Sequence, residues 1–483
     1  VSGPSSGAPV PATPVGGPLH AARTGAVGRG NPLAWTSAAL SALVVSANLS
    51  MMSVAFDDLR RSFPGTKLSV LGWVLSVYTI VFGACLVPAG RLADHIGRRT
   101  VFLWGLGIFS VASIVAGMAP SIAFVIVGRI GQGLGAACLV PSTMGLLLDA
   151  LPADRRASAT AFYSVVSSVG GVLGPTIGAV LIEQFSWRWA FFIGPVLAVG
   201  SWITGIRSLP ERRGDRHTAL PDLVGALVLM VGLTSLSFGI VESRAWGWSD
   251  ARIVASFTLA LVAIPLFVRR CQRHPTPVLP LHLTRLRSFS VANVASMLYG
   301  MSTGALLFGT VLFLRDVWGY SPLQAGSGLL PLAGASTLTA LFVGRLGNRF
   351  GERAVGVPGT CIVAAGMFLL AWRVGSTPSF VGAWLPGGTV IGLGMGLSYP
   401  MVAAATVRDV ASSELSVAAA SNRTTLQIGN AVGIALLIAI LGDAVGVDAL
   451  GPMRVAWWVT GALALGVATS LALLGPRRRA HTP

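Results

Sequence analysis

Gly90-Arg91-Leu92-Ala93-Asp94-His95-Ile96-Gly97-Arg98-Arg99 joins two long apolar runs, residues 69 to 90 and 100 to 119. Gly90 and Gly97 permit a sharp reversal of the chain, and Asp94 can sit against a helix N-terminus or an arginine. Taken alone the string is a charged turn between two helices. The runs beside it are long enough to cross a bilayer core, which takes about 20 mostly apolar residues, and only helices or closed barrels satisfy their backbone groups there. Similar runs fall near 35 to 56, 122 to 148, 158 to 182, 188 to 206, 222 to 241, 252 to 268, 289 to 314, 322 to 343, 354 to 373, 380 to 405, 416 to 441 and 455 to 475. With the pair flanking the turn they make fourteen, and the chain is expected to be an all-α membrane protein.

Composition agrees. Of the 483 residues 53% are hydrophobic and 11% charged, whereas a soluble domain carries about a quarter charged residues. Sixty glycines suit helices that must bring their backbones close in lipid. A net charge of +17 would suggest nucleic acid in a soluble chain, but here the arginines cluster between apolar runs. No nucleic-acid partner is expected, and the surrounding partner is membrane lipid. Cys85, Cys138 and Cys361 lie within apolar runs, Cys271 lies in a basic loop, and every histidine falls outside the spans. Neither a disulfide framework nor a metal site follows from these spacings, and no cofactor is expected.

An even number of spans returns both chain ends to one side. Of the 34 basic residues, 23 group on that side and 9 on the other, with Arg129 and Arg423 left inside spans. The positive-inside rule then makes both termini cytoplasmic, in a cell membrane. Residues 1–32, rich in Pro, Gly, Ser and Ala, read as a disordered cytoplasmic tail, and 476–483 as a short basic one. Pro141, Pro175, Pro331 and Pro400 fall inside spans, where neighbouring helices or a cavity can take up the freed carbonyls.

The turn at Gly90 to Arg99 closely resembles the G-x-L-A-D-x-x-G-R-R signature of the major facilitator superfamily, and Trp73, Tyr78 and Pro88 before it look like the second helix of that superfamily's drug exporters. A weaker copy, Gly344-Arg345-Leu346-Gly347-Asn348-Arg349-Phe350-Gly351-Glu352-Arg353, is what two six-helix halves related by a pseudo-twofold axis leave in sequence. The resemblance implies that Gly90, Asp94, Gly97, Arg98 and Arg99 form a cytoplasmic conformational lock. Two spans between the halves match the fourteen-helix drug:proton antiporter family. The implied order is a six-helix bundle at 33–208, two linker helices at 209–288 and a second bundle at 289–475.

In the fourth span Arg129-Ile130-Gly131-Gln132-Gly133-Leu134-Gly135-Ala136 sets an arginine and a glutamine in an apolar helix. An intramembrane arginine marks a functional site by default, although one near a span end can snorkel to the interface. R-x-x-Q-G-x-G-A is similar to the superfamily pattern for this helix, which assigns the arginine to proton transfer or cavity electrostatics. In the fifth span Gly170, Gly174 and Gly178 stand four apart around Pro175, a flat face for close packing. That run resembles the superfamily's antiporter motif, with Ala179 in place of its last glycine. By the same resemblance, Ser416 to Gly433 looks like the penultimate helix, with Asn422 and Gln427 as cavity candidates.

Family members carry a first-span aspartate in a pattern like D-x-T-x-x-N-V-A-L-P; this chain reads Asn48-Leu49-Ser50-Met51-Met52-Ser53-Val54-Ala55-Phe56-Asp57. No acidic residue falls at mid-membrane on this layout. A proton carrier needs burial to shift it toward neutrality, so the remaining candidates are the span-end residues Glu183 and Asp57, the latter read as a solvated interfacial charge. Asn48, Ser50, Arg129, Gln132 and Asn293 are expected to line a cavity for neutral or anionic amphipathic molecules. The resemblance implies a monomeric secondary exporter, not an enzyme, working by alternating access as an antiporter of protons; the alternative is an exporter or facilitator of an endogenous metabolite, lipid or antibiotic without proton coupling. An ATP-driven pump would need a phosphate-binding loop, and none is present.

Overall fold

The computed structural model describes residues 32–149, 156–209, 220–411, 414–442, 444 and 446–475. The expectations for the two tails, other than Pro32 at the start of the first helix, concern residues outside these. Helices α1 (Pro32–Ser62), α2 (Leu68–Ile96), α3 (Arg98–Gly117), α4 (Ile122–Asp149), α5 (Arg156–Gln184) and α6 (Trp189–Ser208) come first. The pair α7 (Leu223–Trp246) and α8 (Ala251–Arg273) follows. Then come α9 (Arg287–Asp316), α10 (Pro322–Ser327), α11 (Leu330–Phe350), α12 (Glu352–Arg373), α13 (Leu385–Val407), α14 (Leu415–Leu441) and α15 (Leu450–Ala472). Among the described residues thirteen helical stretches are long and apolar enough to cross a membrane, with Pro322–Phe350 counted as one. The 29-residue α5 makes the fourteenth. The side where α1 begins is called here the terminal face, and the opposite side the far face.

The two copies of the turn do the same work. Gly97 (φ 116°) ends α2 and starts α3, and Gly351 (φ 86°) ends α11 and starts α12. Both lie at positive φ, which only glycine adopts without strain. Packing repeats as well: α1 lies on α5 and α6, and α3 on α4 and α6, while α9 lies on α14 and α15, and α12 on α13 and α15. The small-residue seams correspond too. Gly174 of α5 sits against Ala47 and Ser50 of α1, and Gly429 of α14 against Met297 and Gly300 of α9.

The tenth span departs from expectation, because it is broken between α10 and α11. Pro331 therefore stands in the first turn of α11 rather than inside a helix, where its missing N–H costs no bond. The carbonyl of Gly328 at the break accepts a 2.9 Å hydrogen bond from the buried Trp384 indole, which satisfies it without water. α7 packs against α2 and α14, across the seam between the two six-helix sets, and α8 packs on α7. Leu261, Val262 and Leu266 on α8 are exposed, as a lipid-facing helix requires.

The sets meet in two places, at mid-span where Ile80 and Ala84 of α2 share a cluster with Ala431 of α14 and residues of α7 and α8, and more extensively toward the far face. The largest apolar cluster draws Met51, Phe56 and Leu71 from the first set and Phe308, Leu312, Ile434 and Trp457 from the second. Phe56 and Phe308 meet edge to face at 4.6 Å. Toward the terminal face the apolar clusters divide, one group built from α1 to α6 and another from α9 and α11 to α15.

Candidate functional site

α4 carries the polar centre of the first set. Arg129 has no accessible surface. Its Nε donates to the Val74 carbonyl at 2.8 Å, and its Nη1 donates to Asn48 Oδ1 at 2.6 Å and to Gln132 Oε1 at 2.8 Å. Gln132 Nε2 in turn donates to Ser113 Oγ at 2.7 Å. The guanidinium lies 4.3 Å from the centre of the Tyr78 ring. One arginine thus ties α1, α2, α3 and α4 together, and its planar fork serves acceptors on three sides, which a lysine cannot do. Arg129 Nη2 and the Tyr78 hydroxyl are buried without a hydrogen-bond partner among the described residues.

Of the residues expected to share one cavity, Asn48, Arg129 and Gln132 do come together. Ser50 lies instead in the α1–α5 seam, half-buried, and donates to the Ser46 and Ala47 carbonyls of its own helix. Gly170, Gly174 and Gly178 face Ser46, Ser50 and Met51 across that seam, so a hydroxyl at position 50 has little room to turn outward. Glu183 is exposed at the far end of α5. In the second set Asn422 donates to Ser296 Oγ, while Asn293 donates to the Phe289 carbonyl at 2.8 Å and leaves Oδ1 buried and unpartnered. Gln427 accepts from Asn430 Nδ2 at 2.9 Å and stands against Gly83 of α2. The neighbouring Thr424 donates to the Gly83 carbonyl at 2.9 Å, a bond between the two sets.

At the terminal face Asp94, at the end of α2, pairs with Arg98, at the start of α3, at 3.0 Å across the Gly97 reversal, and both are partly exposed. Arg99 donates to the Ile206 carbonyl at the end of α6. Gly90 packs against Pro141, and Gly145 against the Arg98 side chain. The turn therefore fastens the terminal-face ends of α2, α3, α4 and α6 to one another.

At the far face the reading of Asp57 as a solvated charge is overturned, because it is 2% exposed. Its carboxylate meets three arginines: Arg60 at 2.9 Å, Arg61 at 2.9 Å and Arg315 of α9 at 2.8 Å. Arg315 also meets Asp58 at 3.0 Å, and Arg60 crosses to Asp316 at 2.6 Å. Three acids and three bases form a neutral cluster that joins α1 to α9. Burial changes its meaning, since an exposed pair is worth about 0 to 1 kcal/mol while stranding one partner of a buried pair costs about 3–5 kcal/mol. Sequence reasoning missed it; the available signal was the charges crowding the ends of the first and ninth spans, the two first helices of the halves. Glu242 is buried near the far end of α7.

A sequence model of the Major Facilitator Superfamily matches residues 35–335 and 292–483. The chain is 30% identical to the methylenomycin A resistance protein of Streptomyces coelicolor, over 84% of this chain and 85% of that protein. It is 29% identical to the tetracenomycin C resistance and export protein of Streptomyces glaucescens, over 89% of this chain and 80% of that one. Among solved structures it is similar to a crystal structure of the peptide transporter POT in complex with sulfate, with a TM-score of 0.68 and 14% identity over 91% of this chain and 93% of that one. At that identity the likeness concerns the fold alone.

Proposed function

The chain belongs to the major facilitator superfamily, and from that premise we propose that it is a monomeric exporter of drugs or amphipathic small molecules, coupled to protons and working by alternating access in a cell membrane. It is a transporter and not an enzyme. Relatives named for antibiotic resistance and export support the outward direction. The observation that carries the mechanism is the asymmetry of the seam: the largest apolar cluster and an ion cluster join the two sets toward the far face, a smaller cluster joins α2 to α14 beside α7 and α8, and the remaining clusters toward the terminal face belong to one set or the other. That is the geometry of one end state in which two halves rock about a central site.

On this reading 33–208 and 289–475 are the moving halves, with 209–288 a helix pair laid across their seam. The basic terminal face is cytoplasmic by the positive-inside rule, so the divided end of the seam faces the cytoplasm. The turn at Gly90, Asp94, Gly97, Arg98 and Arg99 serves as the cytoplasmic lock of the opposite state. Arg129, Asn48 and Gln132 form the polar centre of the first half; Asn293, Asn422 and Gln427 supply polar groups of the second. Glu183, being exposed, is a proton candidate only at the far surface.

The substrate preference is for neutral or anionic molecules. Among the described residues, the buried carboxylates Asp57, Asp222, Glu242 and Glu352 lie toward helix ends, so no acid stands at mid-membrane to pair with a cationic drug. The replacement of the usual first-span aspartate by Asn48 favours, as a second reading, export without proton coupling. Growth protection across a panel of toxic compounds, wild type against Arg129→Ala, tests the exporter. Uptake into inverted vesicles with and without a pH gradient separates the two readings; transport indifferent to the gradient would rule out proton antiport.

A further inference from the structure

Arg423 is the second arginine inside a span, and nothing in the site above uses it. It stands nine residues into α14, about 12 Å from that helix's terminal-face end at 1.5 Å per residue, and it is exposed. Residues 4, 7, 11 and 18 positions further on share its helical face: Gln427, Asn430, Ile434 and Leu441. Ile434 and Leu441 belong to the apolar cluster that joins the two sets at the far face. The face therefore runs along the seam, sealed above by Ile434 and Leu441 and carrying Arg423 below the seal. Gln427, one turn along this face, stands against Gly83 of α2 in the opposite set, so the face that carries Arg423 is turned toward the first set and not outward to lipid.

Among the described residues no carboxylate pairs with it. Among the described residues Arg423 has neither an ion pair nor a hydrogen bond. The buried acids are elsewhere: Asp57 pairs with Arg315 at the far face, Asp222 with Arg270 on α8 and Glu352 with Arg408 at the end of α13, and Glu242 is on α7. One turn along the same face, Gln427 is 6% exposed, and its Nε2 is a buried donor without a partner. An unpaired arginine in an apolar span is costly to keep and marks a binding site, and a guanidinium beside an unused amide N–H is a set of donors without an acceptor.

We infer that Arg423 and Gln427 bind an oxyanion of the transported molecule, a carboxylate or an acidic phenolate on an amphipathic body, which enters from the terminal face and lies with its apolar part against the Ile434 end of the seam. The inference rests on the exporter reading and narrows its substrate class from neutral or anionic to anionic. Arg423 supplies the charge, which also raises the local concentration of organic anions in the cavity. Gln427 supplies orientation.

The test is equilibrium binding of pyrenebutanoate and of its neutral amide to the purified full chain in zwitterionic nanodiscs, read by fluorescence, with transport of both probes into inverted vesicles. The wild type binds the carboxylate about tenfold tighter than the amide, the gain from one charge-assisted pair. Arg423→Gln abolishes that preference while its affinity for the amide stays within about twofold, and Arg423→Lys keeps part of it. Because Arg423 is exposed, Arg423→Gln melts and elutes as the wild type does. A preference for the carboxylate that survives Arg423→Gln, or a wild type that binds both probes equally yet transports the amide, overturns this inference and leaves the exporter reading standing. Binding and transport of neither probe counts against the exporter of amphipathic molecules, and this inference falls with it.

Discussion

Replacing Arg129 with leucine should leave the protein folded and stop its transport. Leucine fills the site but removes three hydrogen bonds, to Val74 O, Asn48 Oδ1 and Gln132 Oε1, and the stacking on Tyr78. Side-chain hydrogen bonds in membrane helices average about 0.6 and reach about 1.7 kcal/mol each, so the three, two between helices and one within α4, are worth about 2–5 kcal/mol. The cation–π contact adds about 0.5–2 kcal/mol. Against this, the variant no longer holds a charge in the membrane, a saving of about 2.5–3.5 kcal/mol. The terms nearly cancel, and a net loss near 2 kcal/mol is expected, a shift of a few degrees in a thermal scan of the purified protein. Transport into inverted vesicles should fall at least about tenfold, because four helices lose their common polar tie and Asn48 Oδ1 and Gln132 Oε1 lose their donor. Arg129→Lys sharpens the test: it keeps the charge but not the planar fork, and should transport no better than Arg129→Leu. Full transport by Arg129→Lys would show that a bare positive charge suffices, and a failure of Arg129→Leu to fold would show that the network's main role is to hold the bundle together. Either result refutes the reasoning.

Asp57→Asn takes the node out of the far-face cluster and leaves Arg315 with Asp58 alone, a change expected to weaken the closed far face by about 3 kcal/mol. Reagent applied from the far side should then reach a cysteine placed at Leu441, in a chain lacking its four native cysteines, faster than in the parent; equal labelling rates would mean that the cluster does not hold the gate. Gly174→Val should open the α1–α5 seam, since even a Cβ there runs into Ser50 and the Ala47 backbone, at a cost of about 1–3 kcal/mol. Gly171→Ala, whose Cβ would meet open space, is the matched control and should melt like the wild type. Gly97→Ala forces a Cβ onto φ 116° and should lose about 1–3 kcal/mol, seen as a lower melting temperature, whereas Asp94→Asn breaks only a part-exposed pair and should cost less than about 1 kcal/mol, a smaller drop in the same scan.

The number of spans, the turn at Gly90 to Arg99 and its copy at Gly344 to Arg353 were all legible in the sequence. Lipid makes them so: a spanning segment must satisfy its own backbone and be apolar along its length, and Gly97 and Gly351 mark reversals through a local backbone conformation. The close packing of Gly170, Gly174 and Gly178 was legible for the same reason, because small residues four apart make a flat face whatever they meet. Which polar side chains meet was not legible. Asn48 reaches Arg129 and Asp57 reaches Arg315 only because α1 is rotated toward α4 on one level and toward α9 on another. In helices that are apolar nearly all round, no polar face announces that rotation. Ser50, two residues from Asn48, went to the seam instead of the centre, and Asp57 proved buried because a helix from the other set covers it. The sequence alone determined that this chain is a fourteen-helix membrane protein built from two related halves; the tertiary structure decided which charges are buried, paired or left open, since only the packing of one helix on another removes water from a side chain or brings it a partner.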